Sequence, residues 1–208
     1  VSPAAQRAKR IADLLLVGVG GLALLPVLLV VAAWVWRVDG RPVLYRSARV
    51  GRDGRPFPLY KFRTMRVDAD RQREALNEAN EADAPLFKLR DDPRVTPLGR
   101  WLRRSSIDEL PQLWNVLRGD MHLVGPRPLP VEDLRGAAED PVLADWYRAR
   151  HAMRPGITGP WQVAGRSDLG FRDMVRLDLA YLDTWSVAQD AVLLARTVPA
   201  VLRGRGAR

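Results

Sequence analysis

From Leu14 to Trp36 the chain runs for 23 residues without a charged side chain. About 20 apolar residues are enough for a helix to cross the hydrocarbon core of a bilayer, so this run predicts a membrane segment. A signal peptide fits poorly, because the run is longer than the apolar stretch of a leader and no small-x-small cleavage site precedes the polar chain that follows. The bland alternative, a helix buried in a soluble domain, needs protein on every face of the run. The flanks bear on topology: Arg7, Lys9 and Arg10 precede the run, and Arg37, Arg41, Arg46 and Arg49 follow it. A simple span gathers basic residues on one side. Basic residues at both ends therefore favour a segment that enters and returns on the same face. Pro26, with Gly18, Gly20 and Gly21 upstream, predicts a break near the middle, where an amide is missing and the ring clashes with the preceding turn. Proline also occurs in ordinary spanning helices, so a simple span stays open. Trp34 and Trp36 suit an interfacial position.

The remaining length is that of one domain, which gives an anchor over residues 1–40 and a second domain over 41–208. The first residue is Val1, which leaves open that the chain is part of a longer protein. Its 33 Lys+Arg against 24 Asp+Glu give a net charge of +9, which points to polyanionic partners: nucleic acid, anionic lipid or phosphorylated substrates. With no cysteine, disulfides, thiolate metal sites and cysteine nucleophiles are excluded. Two histidines, His122 and His151, are too few for most His-based metal sites.

Pro42 to Tyr45 and Phe57 to Phe62 read as short strands around the turn Gly51-Arg52-Asp53-Gly54, a small hairpin. Asp68 to Asp83 is polar and lacks a broad apolar stripe, which predicts an exposed helix or a mobile excursion with no chemistry. Helices are expected at Thr96 to Arg104 and at Ile107 to Arg118, where Leu110, Leu113, Trp114 and Leu117 share one face and Gly119 is a stop. Others are expected at Pro141 to Ala152, Phe171 to Thr184 and Ala188 to Leu202. The fold class is a helix-rich α+β domain behind an N-terminal re-entrant membrane helix.

The stretch richest in chemistry is Ser105-Ser106-Ile107-Asp108-Glu109-Leu110-Pro111-Gln112-Leu113-Trp114-Asn115, followed by Val124-Gly125-Pro126-Arg127-Pro128. One reading is structural. Ser106 and Glu109 fit a capping box, and Asp108 in a first helical turn is favoured by the helix dipole. The functional reading uses the same helix start as a phosphate site. An ionised Asp108, kept so by positive surroundings, is a phosphoryl nucleophile, and Glu109 supplies an oxygen to Mg²⁺. Arg127 stands between two prolines that stiffen its backbone, which suits a phosphate clamp as well as an ordinary surface loop. Lys61 and Arg63, within Tyr60-Lys61-Phe62-Arg63-Thr64-Met65, alternate with aromatics as a polar sheet face does. Pro155-Gly156-Ile157-Thr158-Gly159-Pro160-Trp161-Gln162 matches no Walker or dinucleotide loop and reads as a constrained turn.

Taken together and in order, these motifs, with Lys9-Arg10-Ile11-Ala12-Asp13 and Arg154-Pro155-Gly156-Ile157-Thr158-Gly159, resemble the bacterial sugar transferases, the monotopic polyprenyl-phosphate phosphoglycosyl transferases. The resemblance spans roughly Lys9 to Ala207. It implies that Asp108 attacks the β-phosphate of a UDP-sugar, UMP leaves, and undecaprenyl phosphate accepts the phosphosugar. It implies Glu109 as Mg²⁺ ligand, with Lys61, Arg103, Arg127 and Asp190 at polar positions of the site. The family's membrane helix breaks at a Ser-Pro pair; here the pair is Leu25-Pro26. Gly165-Arg166-Ser167-Asp168, Asp183-Thr184-Trp185-Ser186 and Gly204-Arg205-Gly206-Ala207 look like the branch that starts exopolysaccharide or O-antigen units from UDP-glucose or UDP-galactose. A UDP-N-acetylhexosamine donor is the alternative. The resemblance places the protein at the bacterial inner membrane, its catalytic domain on the cytoplasmic face and in contact with lipid, and leaves a homo-oligomer open. Two other readings are a membrane-tethered nucleic-acid-binding module and a scaffold. Dispersed basic residues and no nucleic-acid signature argue against the first, so no nucleic acid is expected as partner, and the complete Asp-Glu dyad argues against the second.

Overall fold

The uncharged run forms the middle of α1 (Pro3–Asp39), a 37-residue helix that begins ahead of it and ends beyond it. In the computed structural model, which describes residues 3–73, 75–76, 80–81, 89, 91–134, 143–165 and 169–202, Pro26 lies inside this helix without ending it. The expected break is thus corrected to a proline within a continuous helix. The physical reason is economy of backbone bonds: an uninterrupted helix forfeits the one donor that proline lacks, whereas a break in an apolar medium exposes several unsatisfied groups at several kcal/mol each.

Both ends of α1 hold the same domain. Near its start, Lys9 pairs with Asp190, Arg10 donates to the carbonyls of Val116 and Leu117, and Asp13 meets the His122 ring. Val17 joins a core cluster with Phe57, Leu59, Val116 and Met121. Near its end, Val31 and Val35 pack with Phe62, Leu98 and Leu102. The Asp39 carbonyl accepts from Arg63 and its carboxylate from Thr96. Between these anchors Val19, Leu22, Leu25, Leu29 and Val30 are exposed. The most apolar window of the helix has a mean hydropathy of 2.8 and is only 11% buried, so the alternative of a buried soluble helix fails.

The hairpin forms as expected but with a longer first strand. β1 (Leu44–Val50) pairs antiparallel with β2 (Pro56–Phe62), Tyr45 opposite Lys61 and Arg49 opposite Phe57. The turn between them places Asp53 and Gly54 at φ 57° and 74°, the left-handed region that Asp tolerates and Gly adopts without strain. Asp68 to Arg73 forms turns rather than a regular helix, and much of the expected excursion up to Asp83 lies outside the described residues. Thr96 caps α2 (Pro97–Ser105) by accepting from the Gly99 amide. A single 3₁₀ turn (Ile107–Glu109) and α3 (Gln112–Arg118) follow, and Gly119 at φ 88° ends α3 as expected.

A two-stranded parallel pair, β3 (His122–Val124) with β4 (Gly156–Thr158), was not anticipated; three-residue strands are too short to show a period. Here two loops pack backbone to backbone. A Cβ on Gly156 would fall 2.1 Å from the Gly125 amide, and one on Gly159 would fall 2.1 Å from the Gly125 carbonyl, so neither tolerates a side chain. The remaining helices are α4 (Ala144–His151), α5 (Pro160–Ala164), α6 (Phe171–Thr184) and α7 (Val187–Leu202). Pro141 and Val142, expected to open α4, lie outside the described residues, as do Arg166 to Asp168 and Gly204 to Ala207. A core of Leu129, Trp146, Trp161, Phe171 and Met174 joins α4, α5 and α6.

Candidate active site

Asp108 and Glu109 occupy the 3₁₀ turn wedged between α2 and α3. Ser106 closes α2 in the left-handed conformation, φ 56°, and its side chain makes no capping bond. The capping box is therefore corrected: α2 ends immediately before the dyad, so the backbone must reverse at Ser106, and this takes the hydroxyl away from the amides ahead. The continuous helix expected from Ile107 is likewise replaced by the separate turn and the seven-residue α3. The helix start expected at Asp108 is thus a short 3₁₀ turn.

Asp108 is buried, 6% exposed. Burial pushes its pKa up to about 6; the charge of Lys61 opposes this, Glu109 adds to it, and Arg103 opposes it. Glu109 instead meets Lys61, whose Nζ lies 2.6 Å from Oε1. Two adjacent carboxylates thus have different environments, one paired and one dominated by desolvation. The hairpin is held to this turn by buried Asn115, whose Oδ1 accepts from the Tyr60 amide at 3.0 Å while Nδ2 donates to the Pro58 carbonyl at 2.7 Å. Lys61 is the next residue, so these two bonds fix its approach to Glu109.

Arg103 reaches the same region from α2, donating from Nε to Thr64 Oγ1 at 2.9 Å. The contact depends on Gly99: a Cβ there would fall 2.0 Å from the Thr64 carbonyl. Arg127 enters from the Pro-rich loop. Its carbonyl accepts from Arg150 Nη2 at 2.7 Å, and Arg150 pairs with Asp178 at 2.9 Å and lies over the Trp146 ring. Lys61, Glu109 and Arg127 line one open, shallow cleft, together with Arg49, Gln112 and Gln162. Arg103 is close enough to Asp108 for its charge to act on the carboxyl. Asp190 lies apart from them: its partners are Lys9, Tyr181 and Trp185, none of which lines the cleft. It ties α7 to the start of α1.

Arg49 and Gln162 are cleft residues that the sequence reading missed. In the sequence Arg49 is a basic flank of the membrane run, and the hairpin register is the signal that places it in the cleft. Arg49 stands opposite Phe57 and Tyr45 opposite Lys61, so alternation puts Arg49 and Lys61 on one face. Gln162 belongs to the segment that reads as a constrained turn; it lies on α5, is 8% exposed, and its Oε1 has no partner among the described residues.

Among the described residues no three His, Asp or Glu side chains gather into a metal-binding group. The donor set nevertheless fits Mg²⁺, which binds through one or two carboxylates and takes its other oxygens from substrate phosphates and water. Glu109 accepts from Lys61 through Oε1, and a carboxylate has about four lone-pair sites in all, so that pairing does not exhaust it.

A family described as bacterial sugar transferase matches residues 4–204. The undecaprenyl-phosphate galactose phosphotransferase of Salmonella typhimurium is 44% identical over 81% of this chain and 35% of its own length. The undecaprenyl-phosphate glucose phosphotransferase of Komagataeibacter xylinus is 42% identical over 89% of this chain and 34% of its own. The exopolysaccharide production protein ExoY of Sinorhizobium fredii is 38% identical over 99% of this chain and 90% of its own. The chain thus spans little more than a third of the length of several curated relatives and nearly all of another.

Proposed function

The chain belongs to the bacterial sugar transferase family, and on that premise we propose that it transfers a hexose 1-phosphate from a UDP-sugar to undecaprenyl phosphate, starting a polysaccharide repeat unit. The observation that carries the reading is the division of labour in the dyad. Glu109 is engaged by Lys61, while Asp108, buried beside Lys61 and Arg103, has no cation bonded to its carboxylate among the described residues. A desolvated carboxylate is a stronger nucleophile than a solvated or ion-paired one.

In the first step an Asp108 oxygen bonds to the β-phosphorus of the donor as the bond from that phosphorus to the bridging oxygen breaks, and UMP departs with the electron pair. In the second step an oxygen of the lipid phosphate bonds to the same phosphorus, and the aspartate leaves, regenerated. Both displacements gather negative charge in one place. Lys61, Arg103 and Arg127 offset it, Arg127 from a backbone held by Arg150. Mg²⁺ at Glu109 would supply further charge neutralisation on the donor phosphates. The named relatives favour galactose or glucose as the sugar.

Membrane attachment of a re-entrant kind is the reading that α1 supports, because both of its ends pack on the same domain. Trp101, Trp114 and Leu117 are exposed on α2 and α3 and extend the apolar surface. On this reading the domain lies on the cytoplasmic face of the inner membrane. The test is a panel of UDP-glucose, UDP-galactose and UDP-N-acetylhexosamines with undecaprenyl phosphate and Mg²⁺. Lipid-dependent UMP release with one of the hexoses supports the reading, and release with none of the donors refutes it.

A further inference from the structure

The cleft holds more positive charge than the reading above uses. Arg49 and Arg127 both line it, and Lys61 stands on the same hairpin face as Arg49. The Arg49 guanidinium has five N–H donors. Among the described residues only Nη1 finds a protein acceptor, the Pro128 carbonyl at 3.2 Å, and the buried Nε finds none. The Arg127 guanidinium has no acceptor among the described residues either; only its backbone carbonyl is engaged. Two adjacent guanidinium groups repel each other, and buried donors without acceptors are rare in folded chains. The repulsion registers on Arg49, whose pKa falls to about 10, first through burial and then through Arg127. A phosphate answers both deficits at once, since it brings negative charge and several strong acceptor oxygens, and arginine is the side chain whose fork matches it.

We infer that Arg49 is a phosphate ligand of this cleft, acting with Arg127 on a phosphate group of the reacting substrates. The Nη1 bond to Pro128 O couples Arg49 to the Pro-Arg-Pro loop, so the two guanidinium groups are presented as a unit from two different parts of the chain. The phosphate is that of the donor diphosphate or that of the acceptor lipid, and the two half-reactions distinguish them.

The inference rests on the proposed transfer, so the test has one arm independent of it. The Arg49→Met and Arg49→Lys variants of the full chain in detergent are first titrated with inorganic pyrophosphate and Mg²⁺ by calorimetry. Arg49→Met is expected to weaken binding at least tenfold and Arg49→Lys to recover part of the loss, with thermal midpoints close to that of the parent. UMP release is then measured without lipid, and transfer of the phosphosugar from preformed adduct to undecaprenyl phosphate is measured separately. A tenfold or greater loss in the first assigns Arg49 to the donor, a loss in the second to the acceptor, and a loss in both to each in turn. Unchanged pyrophosphate binding, or both half-reactions within twofold of the parent, would overturn the inference. A parent chain that binds pyrophosphate through Arg49 yet releases no UMP from any donor would instead refute the proposed function.

Discussion

Lys61 Nζ lies 2.6 Å from Glu109 Oε1, while the neighbouring Asp108, buried in the same turn, takes only the through-space charge of that lysine. Burial sets the ionisation of Asp108, and the charge of Lys61 tempers it. Its carboxyl is pushed up to about 6, so the nucleophile is protonated below that pH and ionised above it. The kcat/KM for UMP release in the lipid-free half-reaction should therefore fall about tenfold per unit as pH drops below about 6. Lys61→Met removes the largest influence that lowers this pKa, so its midpoint should lie higher than the parent's. A midpoint that stays put or moves down in Lys61→Met contradicts the assignment.

Arg150 and Asp178 form a buried pair, 1% and 0% exposed on their side chains, and Arg150 also holds the Arg127 carbonyl. Replacing Asp178 by Asn leaves a buried guanidinium without its counter-charge, and breaking such pairs costs about 3–5 kcal/mol. Thermal unfolding in detergent should show a loss of that size. Under conditions where the variant is still folded, the KM for the UDP-sugar should rise, because Arg127 loses its backbone restraint. Stability and KM both unchanged would show that the pair does neither.

His151 donates from Nδ1 to the Tyr147 carbonyl at 2.8 Å, the tautomer that leaves Nε2 to accept from Arg150 at 3.3 Å. Burial, then the charge of Arg150, pushes its pKa down to about 4. The unfolded chain thus binds the proton more readily, so this contribution is complete above pH 6.5 and is lost as pH falls toward 4. The raised pKa of Asp108 acts in the opposite sense, which makes a comparison with a variant necessary. Between pH 6.5 and 5 the parent should lose about 2 kcal/mol more than His151→Gln, whose amide can keep the bond to Tyr147. Identical pH dependence in both proteins would contradict the neutral buried histidine.

Topology has its own test. Cysteines placed singly at Gln6 and Arg41, in a chain that has none of its own, should both react with a membrane-impermeant thiol reagent applied from the cytoplasmic side. Labelling of the two from opposite sides would establish a simple span.

The sequence was most legible where a period or a stop residue governs the local structure. The apolar run, the hairpin around Asp53-Gly54, α6 from Phe171 to Thr184 and the stop at Gly119 all follow from such signals. It was least legible where a contact between distant segments decides. Nothing near Ser106 announces that α2 ends there in a left-handed residue, with a separate 3₁₀ turn directly after it. Asp190 shows the same limit. Its motif resemblance pointed to the site, and its partner proved to be Lys9, 181 residues away. Arg49 was hidden for the opposite reason: a basic residue just after a membrane run has a ready explanation, and only the strand register reveals the second one.

The central claim is that Asp108 becomes covalently attached to the sugar phosphate. Intact-protein mass spectrometry after incubation with UDP-galactose or UDP-glucose and Mg²⁺, with no lipid present, reads this directly. The parent should gain the mass of one hexose phosphate with stoichiometric UMP release, lose it on addition of undecaprenyl phosphate, and gain nothing as Asp108→Asn. An adduct that persists in Asp108→Asn, or turnover with lipid in a parent that never carries an adduct, would contradict the account.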